Sequence, residues 1–467
     1  MIRFLMVFPR FKYPTGDPPI GPASLLAFLR KKTTSVEYKF FDATFNPSFE
    51  AIDRTFAGFK PDITGIYCST LMYADALKIA RMGKKWHSFV VIGGPHATVA
   101  PETLLKSKHV DAVIVGEGEK PLLHLLRAFP DESLMFSHPS ILTRKNEIHD
   151  NWGAHSSGSI DIVENLDELP VPAYDLLDMN RYINNWFQMD IVSPDLRGTN
   201  ILVSRGCPFT CSFCQPTLDK IFGKGVRYRS PDHVVAEIEF LKHAYNINSF
   251  ILTDDTPTFN QKWMHDFVEK LKEKKLNMAW GCNTRVGLLS RSLLKEMRGA
   301  GFKRVMVGIE SGSQRILDNV YHKGIKLRDV PGFIKMLKAE GTKVFAYFML
   351  GAPTETKREI QETIDLAFAL PIDEATFSIT TPLPGTYMEQ EMLSRGFTIS
   401  RRFPDYDYYS SLIYNQGLGP GTIRRFQREA FFKFYLHPYR WTLLIRMVKS
   451  IHGIKKALLK LKRIINL

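Results

Sequence analysis

Cysteine is nearly missing from this chain: five residues in 467. That excludes a disulfide framework, and in a large chain of intracellular character the thiols that are present point to metal ligation. Long apolar runs are missing too. No uncharged stretch approaches the roughly 18 residues that cross a bilayer, and "MIRFLMVFPR" reads as a strand, not as a charged head with an apolar run and cleavage site. The expected compartment is therefore the cytoplasm. There is no short internal repeat and no low-complexity tract. The first loop, "PRFKYPTGDPPIG", has no G-x-G-x-x-G, and no Walker loop occurs anywhere, which argues against a nicotinamide, flavin or nucleotide-phosphate site.

What is present is alternation of apolar, β-branched strands with amphipathic helices, the pattern of parallel sheets built from βαβ units. The first series predicts strands at 2–8, 37–42, 63–68, 89–92 and 112–115, forming a Rossmann-like domain over residues 1–155 with ligands at the carboxyl ends of its strands. Residues 156–197, with "LDELPVPAYDLLD", read as a linker laid over the surface. A second series predicts strands at 200–204, 249–253, 278–282, 304–309, 343–350 and 375–380. Six βα units over 198–390 suggest a barrel or partial barrel with its chemistry on the loops after the strands. Residues 391–467 form an aromatic and basic helical region.

Three of the five cysteines lie in "CPFTCSFC", as Cys207, Cys211 and Cys214, directly after the first strand of the second series. Structural zinc usually takes four ligands in separated pairs, and no histidine stands close by. Three thiolates on one loop suit an iron–sulfur cluster, with one iron left open to a small molecule. A zinc knuckle or buried thiols is the competing reading. Cys68 and Cys282 stand alone and read as small buried apolar residues.

This loop resembles the signature of the radical S-adenosylmethionine (SAM) superfamily, with Phe213 at the aromatic position before the last cysteine. The resemblance implies that a four-iron, four-sulfur cluster on Cys207, Cys211 and Cys214 chelates SAM and cleaves it to a 5′-deoxyadenosyl radical. It further implies that Asp254 or Asp255, in "LTDDTPTF", meets the methionyl amino group, a pairing that carboxylates suit. Glu310, in "GIESGS", would lie near the methionyl end or ribose, Arg285 in "NTR" would pair with a carboxylate, and Gly351 would let backbone approach the adenosyl group.

The first domain resembles the cobalamin-binding domain that precedes the barrel in one radical SAM class. Ser69-Thr70-Leu71 matches S-x-L and Gly93-Gly94 matches GG; the D-x-H-x-x-G piece is absent, so cobalt would lack the usual lower ligand. His96 is expected to hydrogen-bond or pack and not to replace that ligand. Gly116 and Glu117, in "GEGE", form a second loop against which a bulky cofactor could lie. The competing reading is a Rossmann module that binds nothing. The resemblance covers residues 1 to about 390. It excludes the methylthiotransferases, whose extra N-terminal cysteines are missing here.

The net charge of +14 is concentrated: residues 421–467 hold twelve Lys or Arg against Glu429 alone, hence +11. After Pro438 apolar residues recur at helical spacing with lysines between them. This is either a cationic helix lying on an anionic membrane or a helix packed on the barrel with a solvated basic face. No nucleic-acid-binding fold accompanies the charge.

These readings converge on a cobalamin-dependent radical SAM enzyme that methylates an unactivated carbon of a lipid-like or other secondary metabolite. It would draw electrons from a flavodoxin- or ferredoxin-type donor. The alternatives are an oxidative cyclase or carbon-coupling enzyme with the same cofactors, and a non-catalytic, cluster-bearing, membrane-associated protein.

Overall fold

The computed structural model describes residues 1–10, 15–145, 161–399, 403, 406 and 418–437. Its first sheet has the order β2-β1-β3-β4-β5-β6, made of β1 (Ile2–Phe8), β2 (Val36–Asp42), β3 (Ile63–Tyr67), β4 (Phe89–Gly93), β5 (Ala112–Ile114) and β6 (Ile141–Leu142). The first five strands run parallel. Both faces are covered. Leu5 and Val7 join one core with Ile52, Phe56 and Ile79, while Phe4 and Met6 join the opposite core with Leu26, Leu29 and Leu122. That two-sided burial is why these strands read as nearly unbroken apolar runs. The strand order reverses between β1 and β3, which opens a crevice at their carboxyl ends.

The second sheet is a half-barrel of order β14-β13-β12-β11-β10-β7. Its strands are β7 (Gly198–Ile201), β10 (Ser249–Leu252), β11 (Ala279–Thr284), β12 (Phe302–Glu310), β13 (Lys343–Leu350) and β14 (Glu374–Ile379). All pair in parallel. Val305, Val307, Ala346 and Phe348 face the helices, while Ile251 and Met306 turn inward onto Trp186 and Met189. Between β7 and β10 lies a short antiparallel hairpin, β8 (Ser204–Arg205) with β9 (Arg227–Tyr228). Neither β6 nor this hairpin is legible in the sequence, because two-residue strands carry no periodicity.

The segment joining the domains is not laid over the surface. Tyr174, Tyr182 and Trp186 are buried. Tyr182 Oη bonds Asp42 and, at 3.0 Å, Thr44 Oγ1, and Trp186 Nε1 donates to Asn200 Oδ1 at 2.8 Å. Prolines and acids dominate its composition, but these widely spaced aromatics carry its packing.

The first part of the basic tail is a helix, Pro420–Tyr435, packed on the barrel. Ile423, Ala430 and Phe434 are buried in the barrel core. Gln427 Nε2 donates to Phe377 O at 2.7 Å, and Tyr435 Oη both donates to Ala375 O at 2.7 Å and accepts from Ala375 N at 3.2 Å. Two side chains thus satisfy the open edge of β14, a common way to protect an edge strand. The cationic stretch after Pro438 lies outside the described residues. Among the described residues no helix is long and apolar enough to cross a membrane.

Candidate active site

A cavity of about 470 Å³ lies where the two sheets face each other. Tyr67, Gly93, Gly94 and Gly116 form its wall from the first domain; Gly206 and Asp255 come from the barrel. Gly94 has φ +109°, and a Cβ there would lie 2.8 Å from Cys68 O, so the GG turn can hug the neighbouring strand end only as glycine. The remaining wall is largely apolar, with Leu25, Leu122, Leu169 and Ile221.

Beside this cavity stand the loops at the barrel's carboxyl end; Asp254 and Asp255 line it, whereas Cys207, Cys211, Cys214, Phe213, Arg285, Glu310 and Gly351 do not. Between the hairpin's two strands, Gly206 turns at φ +94° into Cys207. Cys214 N and Gln215 N both donate to Cys211 O, at 3.1 and 2.9 Å, and Ser212 N donates to Tyr321 O at 2.9 Å, which pins the loop to the barrel. Cys211 is buried, Cys207 half-buried and Cys214 exposed. Burial pushes the Cys207 thiol up. Among the described residues no three His, Cys, Asp or Glu side chains converge as a single metal ion would need. The loop offers three thiolates and no histidine, the all-thiolate donor set that clusters use. Cations stand beside it: Arg285 Nη1 is 3.5 Å from Cys211 Sγ and its guanidinium lies 4.0 Å over the Phe209 ring. Arg285 thus faces the Cys211 thiol. Phe213 stacks edge-on to Tyr321, 5.5 Å between centroids.

The two aspartates separate in role. Asp254 is buried, and its carboxylate accepts from Val203 N (2.9 Å), Ser204 N (2.5 Å) and Ser204 Oγ (2.8 Å). It caps the end of the first barrel strand. Burial still raises it to about 6, against those hydrogen bonds. Asp255 has its carboxyl open to the cavity, yet enclosing protein raises its pKa. Glu310 sits at φ +72° and binds Lys323 Nζ at 2.8 Å, with both side chains about a tenth exposed. Lys323 was not foreseen, since nothing in "YHKGIK" marks it; its position over Phe213, 5.7 Å away, emerges only from the fold. Gly351, at φ +81°, is constrained by the C-terminal helix, because a Cβ would lie 2.9 Å from Ile423 Cδ1.

In the first domain, His96 is fully buried between Thr70 Oγ1 (3.1 Å from Nδ1) and Thr103 Oγ1 (3.0 Å from Nε2), and burial lowers it to about 4. Ser69, Thr70 and His96 do not line the cavity; Thr70 instead fixes the imidazole. Glu117 reaches the cavity wall, but its carboxylate holds Arg205 at 3.0 Å, Arg227 at 2.6 Å and Val163 N at 2.8 Å. Burial pushes its neighbour Glu119 up, yet the Arg205 guanidinium holds it below its ordinary value.

Residues 13–126 match the B12 binding domain, and residues 201–367 match the radical SAM superfamily. An uncharacterized methyltransferase of Pyrococcus horikoshii is 32% identical over 456 residues, 96% of this chain and 94% of that protein. The chain belongs to the cobalamin-binding radical SAM enzyme family. Another relative is the anaerobic magnesium-protoporphyrin IX monomethyl ester cyclase of Cereibacter sphaeroides, 28% identical over 98% of this chain and 75% of that one. Among solved structures, the radical SAM methyltransferase TsrM from Kitasatospora setae, with tryptophan and a SAM analogue bound, shares the fold at TM-score 0.72 and 17% identity, over 94% of this chain and 90% of that one. Membership in the cobalamin-binding radical SAM family sets aside the zinc-knuckle, empty-module and non-catalytic readings. It brings the cluster, SAM and cobalamin as the family's cofactors.

Proposed function

We propose that this radical SAM enzyme transfers a methyl group to an unactivated carbon of a small, largely apolar molecule. The carrying observation is a cavity walled by both domains, because methyl transfer needs the two cofactors within reach of one substrate carbon. When bound, the cluster and SAM supply the radical that removes hydrogen, and cobalamin supplies the methyl group. In this reading Cys207, Cys211 and Cys214 ligate the cluster, and Arg285 and Lys323 offset the negative charge gathered there. Asp255 meets the methionyl ammonium while Asp254 holds the loop that presents it. Gly93, Gly94 and Gly116 give cobalamin a flat backbone wall, with Ser69, Thr70 and His96 supporting that wall from behind. The apolar side chains around the cavity exclude water from the reacting atoms.

Anaerobic incubation with SAM and a low-potential reductant tests this. Formation of 5′-deoxyadenosine, with a product heavier by one methyl group, is expected; alanine at Cys211 abolishes both along with the cluster's visible absorbance. A product with no added methyl supports the second reading, an oxidative cyclase or coupling enzyme, which the full-length similarity to the cyclase favours. A flavodoxin- or ferredoxin-type protein is the proposed electron donor. The cationic stretch after Pro438 supports a lipid-like substrate met at an anionic membrane surface. Equal flotation with anionic liposomes, with and without residues 438–467, would remove that part.

A further inference from the structure

The "GEGE" loop and the β8–β9 hairpin meet across the domain seam through charge. Arg205 Nη1 lies 3.0 Å from Glu117 Oε2, and its Nη2 2.6 Å from Glu119 Oε1. Arg227 Nη2 lies 2.6 Å from Glu117 Oε1, 2.7 Å from Phe222 O, and the same guanidinium reaches Val163 O. Glu117 Oε2 also accepts from Val163 N at 2.8 Å. Side-chain exposure is 1% for Glu117, 5% for Glu119, 18% for Arg205 and 15% for Arg227. One carboxylate, Glu117, therefore ties together the first domain, the joining segment and the barrel.

Burying four charges is a poor route to stability, because desolvation consumes most of the Coulomb gain and an apolar seam would serve as well. What forked guanidinium–carboxylate contacts add is direction: they hold one orientation where apolar surfaces can slide. The position of the network gives that direction a use. Arg205 is separated from the first cluster cysteine by Gly206 alone, and Glu117 follows Gly116 in the cavity wall.

We propose that Glu117, Glu119, Arg205 and Arg227 are positioning residues that fix the distance and angle between cobalamin and the iron–sulfur cluster. The inference rests on the function proposed above, and none of the four touches a reacting atom.

The test uses full-length holoenzyme, reconstituted anaerobically and reduced so that cob(II)alamin and the cluster are both paramagnetic. Magnetic coupling between them is read by electron paramagnetic resonance in wild type, Glu119→Gln and Arg205→Lys. The lysine variant keeps charge and removes only the fork. Both variants are expected to load both cofactors with weakened, heterogeneous coupling. Their kcat should fall on the order of a hundredfold, as for a misplacement near 1 Å, with KM little changed and more 5′-deoxyadenosine formed per product. Coupling identical to wild type in loaded Arg205→Lys overturns the assignment. If Glu119→Gln fails to fold, the lysine variant alone decides. Wild type that takes up neither cofactor instead overturns the underlying function.

Discussion

His96 is the residue where a tempting ligand turns out to be a strut. Both ring nitrogens are held by threonine hydroxyls in a fully buried site, so any nitrogen hyperfine splitting of bound cob(II)alamin should not come from His96, and His96→Gln should leave its spectrum unchanged. The same burial has a pH consequence. A histidine lowered from 6.5 to about 4 in the fold favours the native state above its unfolded pKa, and that contribution is lost as pH falls from 6.5 through 4. It amounts to roughly 3 kcal/mol at most. Melting temperatures from pH 7 to pH 4 should therefore fall more steeply for wild type than for His96→Gln. The two adjacent aspartates divide in a similar way. Asp254→Ala removes the acceptor for two backbone N–H groups and should cost about 2–3 kcal/mol of stability. Asp255→Asn should leave the melting temperature near wild type while weakening SAM binding, measured by calorimetry on cluster-loaded protein. Equal stability losses in the two would remove the distinction.

Among the elements, the Pro420–Tyr435 helix changes how the basic tail is understood. It belongs to the barrel, since Phe434 is buried against Phe377 with centroids 6.1 Å apart, and Gln427 and Tyr435 bond the backbone of β14. Phe434→Ala should cost about 3–5 kcal/mol, read by chemical denaturation, and truncation at residue 420 should destabilise the whole barrel. Truncation after His437 should not. Membrane binding is therefore tested with the second truncation only. The helix also accounts for Gly351, where alanine would meet Ile423 and a left-handed backbone together.

For the molecule as a whole, the cavity exists only because the domains face each other. Ile221, on the barrel side, lines the same space as Gly93 and Gly116. Ile221→Trp should fill it and weaken cobalamin binding by roughly tenfold or more, about 1.4 kcal/mol, with cluster absorbance unchanged; titration of cobalamin into the cluster-loaded variant checks this. Unaltered affinity would place cobalamin elsewhere. This seam was the least legible feature in the sequence. Apart from the first barrel strand, expected at 200–204 and found at Gly198–Ile201, the strands were readable to within a residue or two, most of them because they are apolar runs, and the cysteines because their spacing is local. Lys323 with Glu310, Arg205 with Glu119 and Gln427 with Phe377 were not, because each pairing joins residues that only the fold brings together.

The sequence by itself determined the two βα series, their order and the thiol trio, because periodicity and short spacing are properties of neighbouring residues. Tertiary structure alone decided which acids are open to the cavity and which are already engaged. It also decided that the joining segment is packed inside and that half the basic tail seals a sheet edge. Those outcomes depend on desolvation and on partners distant in sequence, 110 residues away for Arg227 and Glu117 and 140 for Tyr182 and Asp42, and neither is written in any local stretch of the chain.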